Sequence, residues 1–290
     1  MKKMIIVTGG AGFIGSNLVK YLLKKTNFKI ISLDNYSTGK IKNHINHKNA
    51  KYIKGENINI SKILYKYKNK IKVIFHFGEF SRIYQSFLNP KLCLDNNINN
   101  SFEVINFAKE NKIKIIYSAT SSALGNNGQD ENESPYTWAK SKNIELIKNY
   151  SKWYGLKYEL VYFYNVYGPG QILNGSMAAV IGIFETQFRK KKPLTVVKPG
   201  SQRRDFTHIS DIVRGCYLAM TKGKQNEYML CTNKTYSILQ IVKIFNTKYK
   251  FLKSRPGDRF GSTTLNNYAK TILGFQAKID LKEYIQILIR

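Results

Sequence analysis

The fold of this 290-residue chain is decided by TGGAGFIG (8–15), which follows the β-branched run MIIV (4–7) and opens into a helical pattern. Glycines at this spacing permit a tight strand-to-helix turn, let the backbone approach a pyrophosphate and let the helix pack on the sheet. Asp34 ends the next predicted strand, 19 residues past Gly15, where a carboxylate can accept ribose hydroxyls and repel a 2′-phosphate. The stretch therefore predicts a dinucleotide site that favours NAD over NADP.

Outward from this loop, short β-branched runs alternate with longer amphipathic ones. The predicted strands are 4–7, 29–33, 51–53, 72–77 and 114–118, and the predicted helices are 13–25, 60–69, 92–111 and 136–153. This alternation predicts a Rossmann-type α/β fold with a doubly wound parallel sheet. Beyond YELVYFYN (158–165) the elements become shorter. We therefore expect an NAD-binding domain over 1–165 and a smaller C-terminal α/β lobe over 166–290, with the chain crossing back at least once.

The formal charge of +29 does not by itself indicate a nucleic-acid partner. Only 8 of the 47 basic residues are arginine, and the lysines are spread among many Asn and Ile residues, as in proteins of AT-rich genomes. The basic stripe with stacking aromatics that single-strand binders use is missing. No segment approaches the roughly 20 apolar residues of a membrane span. The three cysteines (Cys93, Cys216, Cys231) are widely spaced, so we expect a reduced, cytoplasmic protein without a metal site.

A second candidate site is SPYTWAK (134–140), in which Tyr136 and Lys140 share one face of a predicted helix. A free tyrosine has a pKa of about 10, so it needs help to act as a base near neutrality. A nearby ammonium and the positive nicotinamide of an oxidised cofactor both favour the phenolate. A tyrosine and a lysine four residues apart occur often by chance in a chain that is rich in both. The place of this pair after the fifth predicted strand, on the helix expected to flank the nicotinamide, makes Tyr136 a candidate base.

Together with motifs further along, the chain resembles the extended short-chain dehydrogenase/reductases that modify nucleotide sugars, such as UDP-glucose 4-epimerase. The supporting motifs are DNYSTG (34–39), FHFG (75–78), DNNINNS (95–101), FYNVYGPGQ (163–171), QRRDFTHISD (202–211) and RPGD (255–258). The resemblance covers nearly the whole chain. It implies NAD as cofactor, a nucleotide-diphosphate sugar as substrate, and a homodimer packed through helices 92–111 and 136–153.

The resemblance also implies roles for individual residues. Tyr136 would take the proton from the sugar hydroxyl, Lys140 would lower the tyrosine pKa and hold the nicotinamide ribose, and Thr120 would bind the reacting oxygen. Ser118, Ser121 and Ser122 leave the register of Thr120 open. The implied substrate contacts are Thr120, Asn165, Arg204, Arg255 and Asp258. The implied cofactor contacts are Gly9, Gly12, Phe13, Ile14, Gly15, Asp34, Asn35, Thr38, Gly39, Glu56, Asn57, Phe77, Gly78, Ser81, Asn96, Tyr136, Lys140 and Phe163.

The residues after Thr120 favour one reaction over another. Relatives that dehydrate the sugar follow this Thr with an Asp-Glu pair, which supplies the acid and base for loss of water. Here Ser121 and Ser122 follow, and the acidic QDENE stretch (129–133) is expected to be solvated. We therefore expect a 4-epimerase that oxidises C4. A dehydratase or C4 dehydrogenase of the same fold remains the alternative, and a non-catalytic NAD-binding regulator is a further one.

Several positions depart from the family pattern. Glu79 stands where a small residue is usual, and it is either an extra acid/base or, as we prefer, an idle carboxylate tied to Arg82. The Glu56-Asn57 pair replaces the usual acidic pattern near the adenine. His76, at the end of a strand, is expected to be a hydrogen-bonded structural residue.

Overall fold

The computed structural model describes residues 3–124, 130–257, 261 and 264–290. The strands are β1 (Met4–Thr8), β2 (Lys29–Asp34), β3 (Ala50–Lys54), β4 (Ile71–His76), β5 (Lys114–Thr120), β6 (Tyr158–Phe163), β7 (Leu194–Val197), β8 (Arg203–Asp205), β9 (Glu227–Leu230), β10 (Thr235–Ser237) and β11 (Tyr249–Leu252). Seven of them form one sheet in the order β3-β2-β1-β4-β5-β6-β9, with every pairing parallel. This confirms the predicted Rossmann-type sheet.

Helices cover both faces of the large sheet. They are α1 (Phe13–Lys25), α2 (Ile60–Leu64), α3 (Ile83–Leu88), α4 (Pro90–Leu94), α5 (Asn100–Glu110), α6 (Pro135–Tyr154), α7 (Val180–Arg189), α8 (Ile209–Lys222), α9 (Ile238–Phe245), α10 (Tyr268–Thr271) and α11 (Leu281–Ile289). On one face α2, α5 and α6 bury apolar residues against the strands, and on the other α1, α8 and α10 do so. Buried apolar area of this kind is the main source of stability.

Two predicted helices are interrupted in the structure. The predicted helix 92–111 is broken by a π-helical stretch (Asp95–Asn99) between α4 and α5. Its buried Asn97 side chain accepts from the Phe80 amide at 2.7 Å and donates to the Phe80 carbonyl at 2.9 Å. These tertiary bonds explain the widened turn, which a 3.6-residue pattern does not reveal. Similarly, the predicted helix 60–69 is α-helical only to Leu64 and continues as a 3-10 segment (Tyr65–Lys70).

The rest of the chain forms a smaller layer beside the carboxyl ends of the strands of the large sheet. It contains an antiparallel pair, β8 with β10, and a parallel pair, β7 with β11. Helices α7, α9 and α11 share a third apolar cluster with β7 and β10. The chain returns to the large sheet through α8 and β9. Within the described ranges, none of the helices has the length and apolar character needed to cross a membrane.

Candidate active site

The glycine loop brings two backbone segments into close contact. Gly9 has a φ of +68°, and a Cβ there would lie 2.8 Å from the backbone of Phe77 and Gly78. A Cβ at Gly15 would lie 2.1 Å from the Gly9 carbonyl oxygen. Helix α1 begins at Phe13, and no side chain caps its N-terminus. The amides of its first turn can therefore receive an anion, as a dinucleotide pyrophosphate requires.

Asp34 closes the loop from the end of β2. Its buried carboxylate accepts from the amides of Ala11 at 2.9 Å and Tyr36 at 2.8 Å. A Cβ at Gly39 would lie within 2.9 Å of both carboxylate oxygens, so only glycine fits beside them. Each carboxylate oxygen has a further lone pair for a hydroxyl donor. The residues present thus fit the ribose of a bound dinucleotide.

The remaining predicted cofactor residues fall into two groups. Asn57 donates to the Gly78 carbonyl at 2.8 Å, Asn35 donates to Glu56 at 3.0 Å, and the Phe77 and Phe163 rings lie 5.4 Å apart. These bonds connect the loops that follow β2, β3 and β4, and the ring contact joins β4 to β6. The second group consists of Thr38, Ser81 and Asn96. Within the described residues, no side-chain hydrogen bond joins it to the first group. Thr38 and Ser81 are exposed. The side-chain amide of Asn96 donates to the Leu92 carbonyl, one turn earlier, at 2.8 Å.

The three predicted catalytic residues lie together. Thr120 ends β5, and its hydroxyl hydrogen-bonds that of Tyr136. Tyr136 lies in the first turn of α6, which Ser134 caps by accepting the Thr137 amide at 3.1 Å. Burial raises the pKa of Tyr136 to about 12, although the Thr120 bond acts to lower it. In the cofactor-free protein the tyrosine is therefore protonated at neutral pH.

Lys140 lies one turn along α6 and forms a buried ion pair with Glu79. Only 4% of the lysine side chain and 3% of the glutamate side chain are exposed. The hydroxyls of Tyr117 and Ser101 donate to the same carboxylate at 2.8 and 3.0 Å. Burial acts to raise the pKa of Glu79, but the Lys140 ammonium and the Tyr117 hydroxyl bring it below its ordinary value. The preferred interpretation that Glu79 is tied to Arg82 is therefore wrong.

Arg82 instead reaches the segment before α7. Its Nε donates to the Met177 carbonyl at 2.8 Å and its Nη1 to the Ser81 carbonyl at 2.8 Å. Among the described residues no carboxylate pairs with it. Its positive charge acts to lower the pKa of Tyr136. Sequence reasoning did not place Arg82 in the site, although the scarcity of arginine in this chain was a usable signal.

The structure gives local contacts for three of the predicted substrate residues. Asn165 has a φ of +30° and donates to the Asp205 carbonyl at 2.7 Å. Arg204, on β8, donates to the Arg203 carbonyl at 2.8 Å. The exposed Arg255 guanidinium lies 5.0 Å from the centre of the Tyr84 ring on α3. Asp258 lies outside the described residues.

Serine hydroxyls flank Thr120 along the chain, and one acidic residue further along is buried. Ser121 and Ser122 are buried, and the Ser122 amide donates to the Thr120 hydroxyl at 3.1 Å. Ser118 turns the other way and donates to the His76 carbonyl at 3.0 Å. Asp130 is buried, so the prediction that this acidic stretch is solvated is wrong for Asp130, whereas Glu131 and Glu133 are exposed.

His76 lies behind the site and contacts no exposed group. Its ring nitrogens bond the hydroxyls of Thr8 at 2.7 Å and Ser101 at 2.9 Å. Burial lowers the pKa of His76 to about 4, so it is neutral at physiological pH. Within the part of the chain that the structure describes, no three His, Cys, Asp or Glu residues are grouped as a metal site.

Comparison with known proteins agrees with this geometry. The sequence profile of the NAD dependent epimerase/dehydratase family matches residues 5–231. A Methanocaldococcus jannaschii protein provisionally named UDP-glucose 4-epimerase is 31% identical over 300 residues, which cover 98% of this chain and 96% of that protein. The Thermotoga maritima UDP-glucose 4-epimerase structure superposes with a TM-score of 0.91 at 27% identity, covering 99% and 97% of the two chains. The Methanobrevibacter ruminantium UDP-N-acetylglucosamine 4-epimerase, in complex with UDP-N-acetylmuramic acid, gives 0.88 at 28% identity, covering 100% and 98%.

The family match spans the parts of the chain in which the site was found. Residues 5–231 include the glycine loop, Asp34 and the cluster of Thr120, Tyr136 and Lys140. The fold, the sequence profile and the relatives lead to one assignment. The chain belongs to the NAD-dependent epimerase/dehydratase family, as an NAD-using enzyme of the extended short-chain dehydrogenase/reductase type that acts on nucleotide sugars.

Proposed function

We propose that the protein is a nucleotide-sugar 4-epimerase. The observation that carries this proposal is the contact between Thr120 and Tyr136 at the end of β5, one helical turn from Lys140. Both 4-epimerase structures compared above share the fold over nearly the whole chain. A bound NAD would supply the hydride acceptor for oxidation of the sugar carbon and the hydride donor for its reduction on the opposite face.

The residues of this chain would handle the proton. Thr120 orients the C4 hydroxyl, and Tyr136 as phenolate accepts its proton while the carbon is oxidised. In the cofactor-free protein Arg82 already acts to lower the pKa of Tyr136. The positive charge of a bound oxidised nicotinamide would lower it further. Tyr136 then returns the proton when the 4-keto sugar is reduced. The burial of Thr120 and Lys140 excludes water from this exchange.

Dehydration is the second candidate reaction, and the residues beside Thr120 favour it less. Expelling water from the sugar needs an acid and a base placed at C5 and C6. Ser121 and Ser122 offer hydroxyls there, whose pKa values are far too high for that work. A C4 dehydrogenase needs no additional residue, but it must release the 4-keto sugar and the reduced cofactor.

The test is product analysis with UDP-, GDP-, dTDP- and CDP-hexoses, by NMR and mass spectrometry, with the absorbance of reduced cofactor followed in parallel. An isomer of unchanged mass without accumulated reduced cofactor is the expected result. Loss of one water from the sugar would make the protein a dehydratase. Accumulated reduced cofactor with a keto product would make it a dehydrogenase.

Asp34 is proposed to select the cofactor, and its replacement provides a test. In Asp34→Ala we expect NAD to bind about 10- to 100-fold more weakly, because hydrogen bonds to a charged group contribute about 1.5–3 kcal/mol. NADP should lose less affinity, since its 2′-phosphate is no longer repelled. Calorimetric titration with both cofactors gives the ratio of the two Kd values. A substitution that only disturbed the loop would weaken the binding of NAD and NADP equally. An unchanged ratio of the two Kd values would therefore contradict the proposed role of Asp34.

A homodimer and a cytoplasmic location are also part of the proposal. Helices α4 to α6 expose the apolar side chains of Leu92, Phe102, Trp138 and Trp153. Phe102 and Leu146 line one shallow surface pocket on α5 and α6. Covering such a surface with a second copy buries apolar area from both chains. The three cysteines are buried and free, in keeping with a reducing compartment.

The proposed dimer predicts that Phe102→Glu yields a monomer. Phe102 is 41% exposed, so the charge is tolerated in the free chain but not against a second apolar surface. Light scattering after size-exclusion chromatography measures the mass. The control is Ile287→Glu on α11, where the side chain is 73% exposed and far along the chain from these helices. A wild-type monomer, or a Phe102→Glu dimer, would rule out this interface.

A further inference from the structure

Glu79 is surrounded by donors from three elements of the structure. Ser101 from α5 and Tyr117 from β5 donate to its Oε1 at 3.0 and 2.8 Å. Lys140 from α6 bonds its Oε2. A buried carboxylate with this many donors has a fixed position and a stable negative charge. It lies beside the lysine that the proposed reaction uses, although the family usually has a small residue here.

We propose that Glu79 is a positioning residue that holds the Lys140 ammonium in place and sets the pH range in which Tyr136 and Lys140 work together. This inference rests on the proposed function, because it assigns the proton step to these two residues. A lysine buried to this degree without a counter-charge loses its proton easily. Glu79 keeps it charged, and it does so without touching the substrate hydroxyl.

The other titratable groups around the pair do not supply this charge. Burial lowers the pKa of His76 to about 4 and raises the pKa of the Cys93 thiol to about 11, so both are neutral near pH 7. Burial also raises the pKa of Tyr117 well above its ordinary value. Arg82 faces Tyr136 from the start of α3 and stays charged. Glu79 is thus the negative charge that acts on both Tyr136 and Lys140.

The sign of the effect follows from this arrangement. A negative charge raises the pKa of every neighbour, because it favours each protonated form. Activity needs Tyr136 deprotonated and Lys140 protonated, so the pH profile is a bell whose two limbs report this coupled pair. Without the Glu79 charge, both limbs move to lower pH. A purely structural residue would lower the whole profile without moving it.

The experiment compares Glu79→Gln, Glu79→Asp and wild type. The pH profile of the burst of reduced cofactor, on mixing the NAD-loaded enzyme with the nucleotide sugar, is expected to shift to lower pH by about 1–3 units in Glu79→Gln. Glu79→Asp should return it toward wild type. Glu145→Gln is the matched control, because it removes an exposed carboxylate paired with Lys142 on the same helix. Reduced amplitude with unmoved limbs would overturn the proposal.

A second measurement separates this proposal from the proposed function. The pKa of Lys140 can be followed by NMR in protein labelled with 13C at lysine Cε, with the signal identified by its loss in Lys140→Met. We expect a lower pKa in Glu79→Gln, whether or not the enzyme turns over any sugar tested. An equal or higher pKa would overturn the role of Glu79. Absence of turnover in wild type alone would overturn only the 4-epimerase.

Discussion

Replacing Tyr136 by phenylalanine should lower kcat by about 10²–10⁴, the range that general acid–base catalysis contributes. The ring still packs at the start of α6, but no atom remains to accept the proton of the sugar hydroxyl. Thr120 keeps its place at the end of β5, since its position depends on the strand and not on the tyrosine. The measurement is steady-state turnover together with calorimetric binding of NAD.

The control for this substitution is Tyr154→Phe. Tyr154 ends the same helix and is 61% exposed, so the loss of its hydroxyl changes neither the site nor the core. NAD affinity should stay within a few-fold of wild type in both variants. Turnover of Tyr136→Phe close to that of Tyr154→Phe would refute the catalytic assignment.

The glycine loop was predictable because its constraints are local. Gly9 needs a positive φ and Gly15 needs contact with the neighbouring backbone, and both needs leave glycine as the residue that fits. The carboxylate at the end of the second strand follows from the same short unit of strand, loop and helix. The strand alternation likewise depends on neighbours in sequence. These local features therefore predict the parallel sheet and the edge of the sheet at which the site lies.

The partners of Glu79 and Arg82 were not predictable in this way. Glu79 and Arg82 are close in sequence and of opposite charge, which made an ion pair between them plausible. The structure joins Glu79 to Lys140, 61 residues away, because the loop that follows β4 lies against α6. Arg82 lies at the start of α3 and reaches the Met177 carbonyl instead. Long-range packing decides such pairs, and a single sequence carries no record of it.

The π-helical turn has the same kind of cause. DNNIN (95–99) has no helix-breaking glycine or proline, so its pattern predicts an uninterrupted helix. The turn widens because Asn97 bonds Phe80 and because its carbonyl accepts from Asn143. Asn143 also donates to Tyr117 at 3.0 Å, and Tyr117 donates to Glu79. The irregular helix and the buried ion pair thus belong to one hydrogen-bonded network.

The second large effect is expected in Lys140→Met, which should lose both turnover and stability. Removing one partner of a buried ion pair destabilises a protein by about 3–5 kcal/mol, because the remaining charge is buried without compensation. Here Glu79 would remain, with 3% of its side chain exposed. Urea unfolding measures the loss of free energy, and the burst of reduced cofactor measures the loss of the proton step.

The pH dependence and a double variant separate these two losses. In wild type the pKa of Glu79 is lowered, so its contribution to stability is present above the unfolded pKa of about 4.3 and is lost as pH falls through the folded value. In Lys140→Met the pKa of Glu79 in the folded state rises above its unfolded value, so stability is regained as pH falls.

Lys140→Met combined with Glu79→Gln should recover most of the free energy of unfolding at neutral pH, because no unpaired charge remains buried, but it should recover no turnover. A double variant as unstable as Lys140→Met would show that the methionine itself, and not the stranded carboxylate, disrupts the packing behind the site.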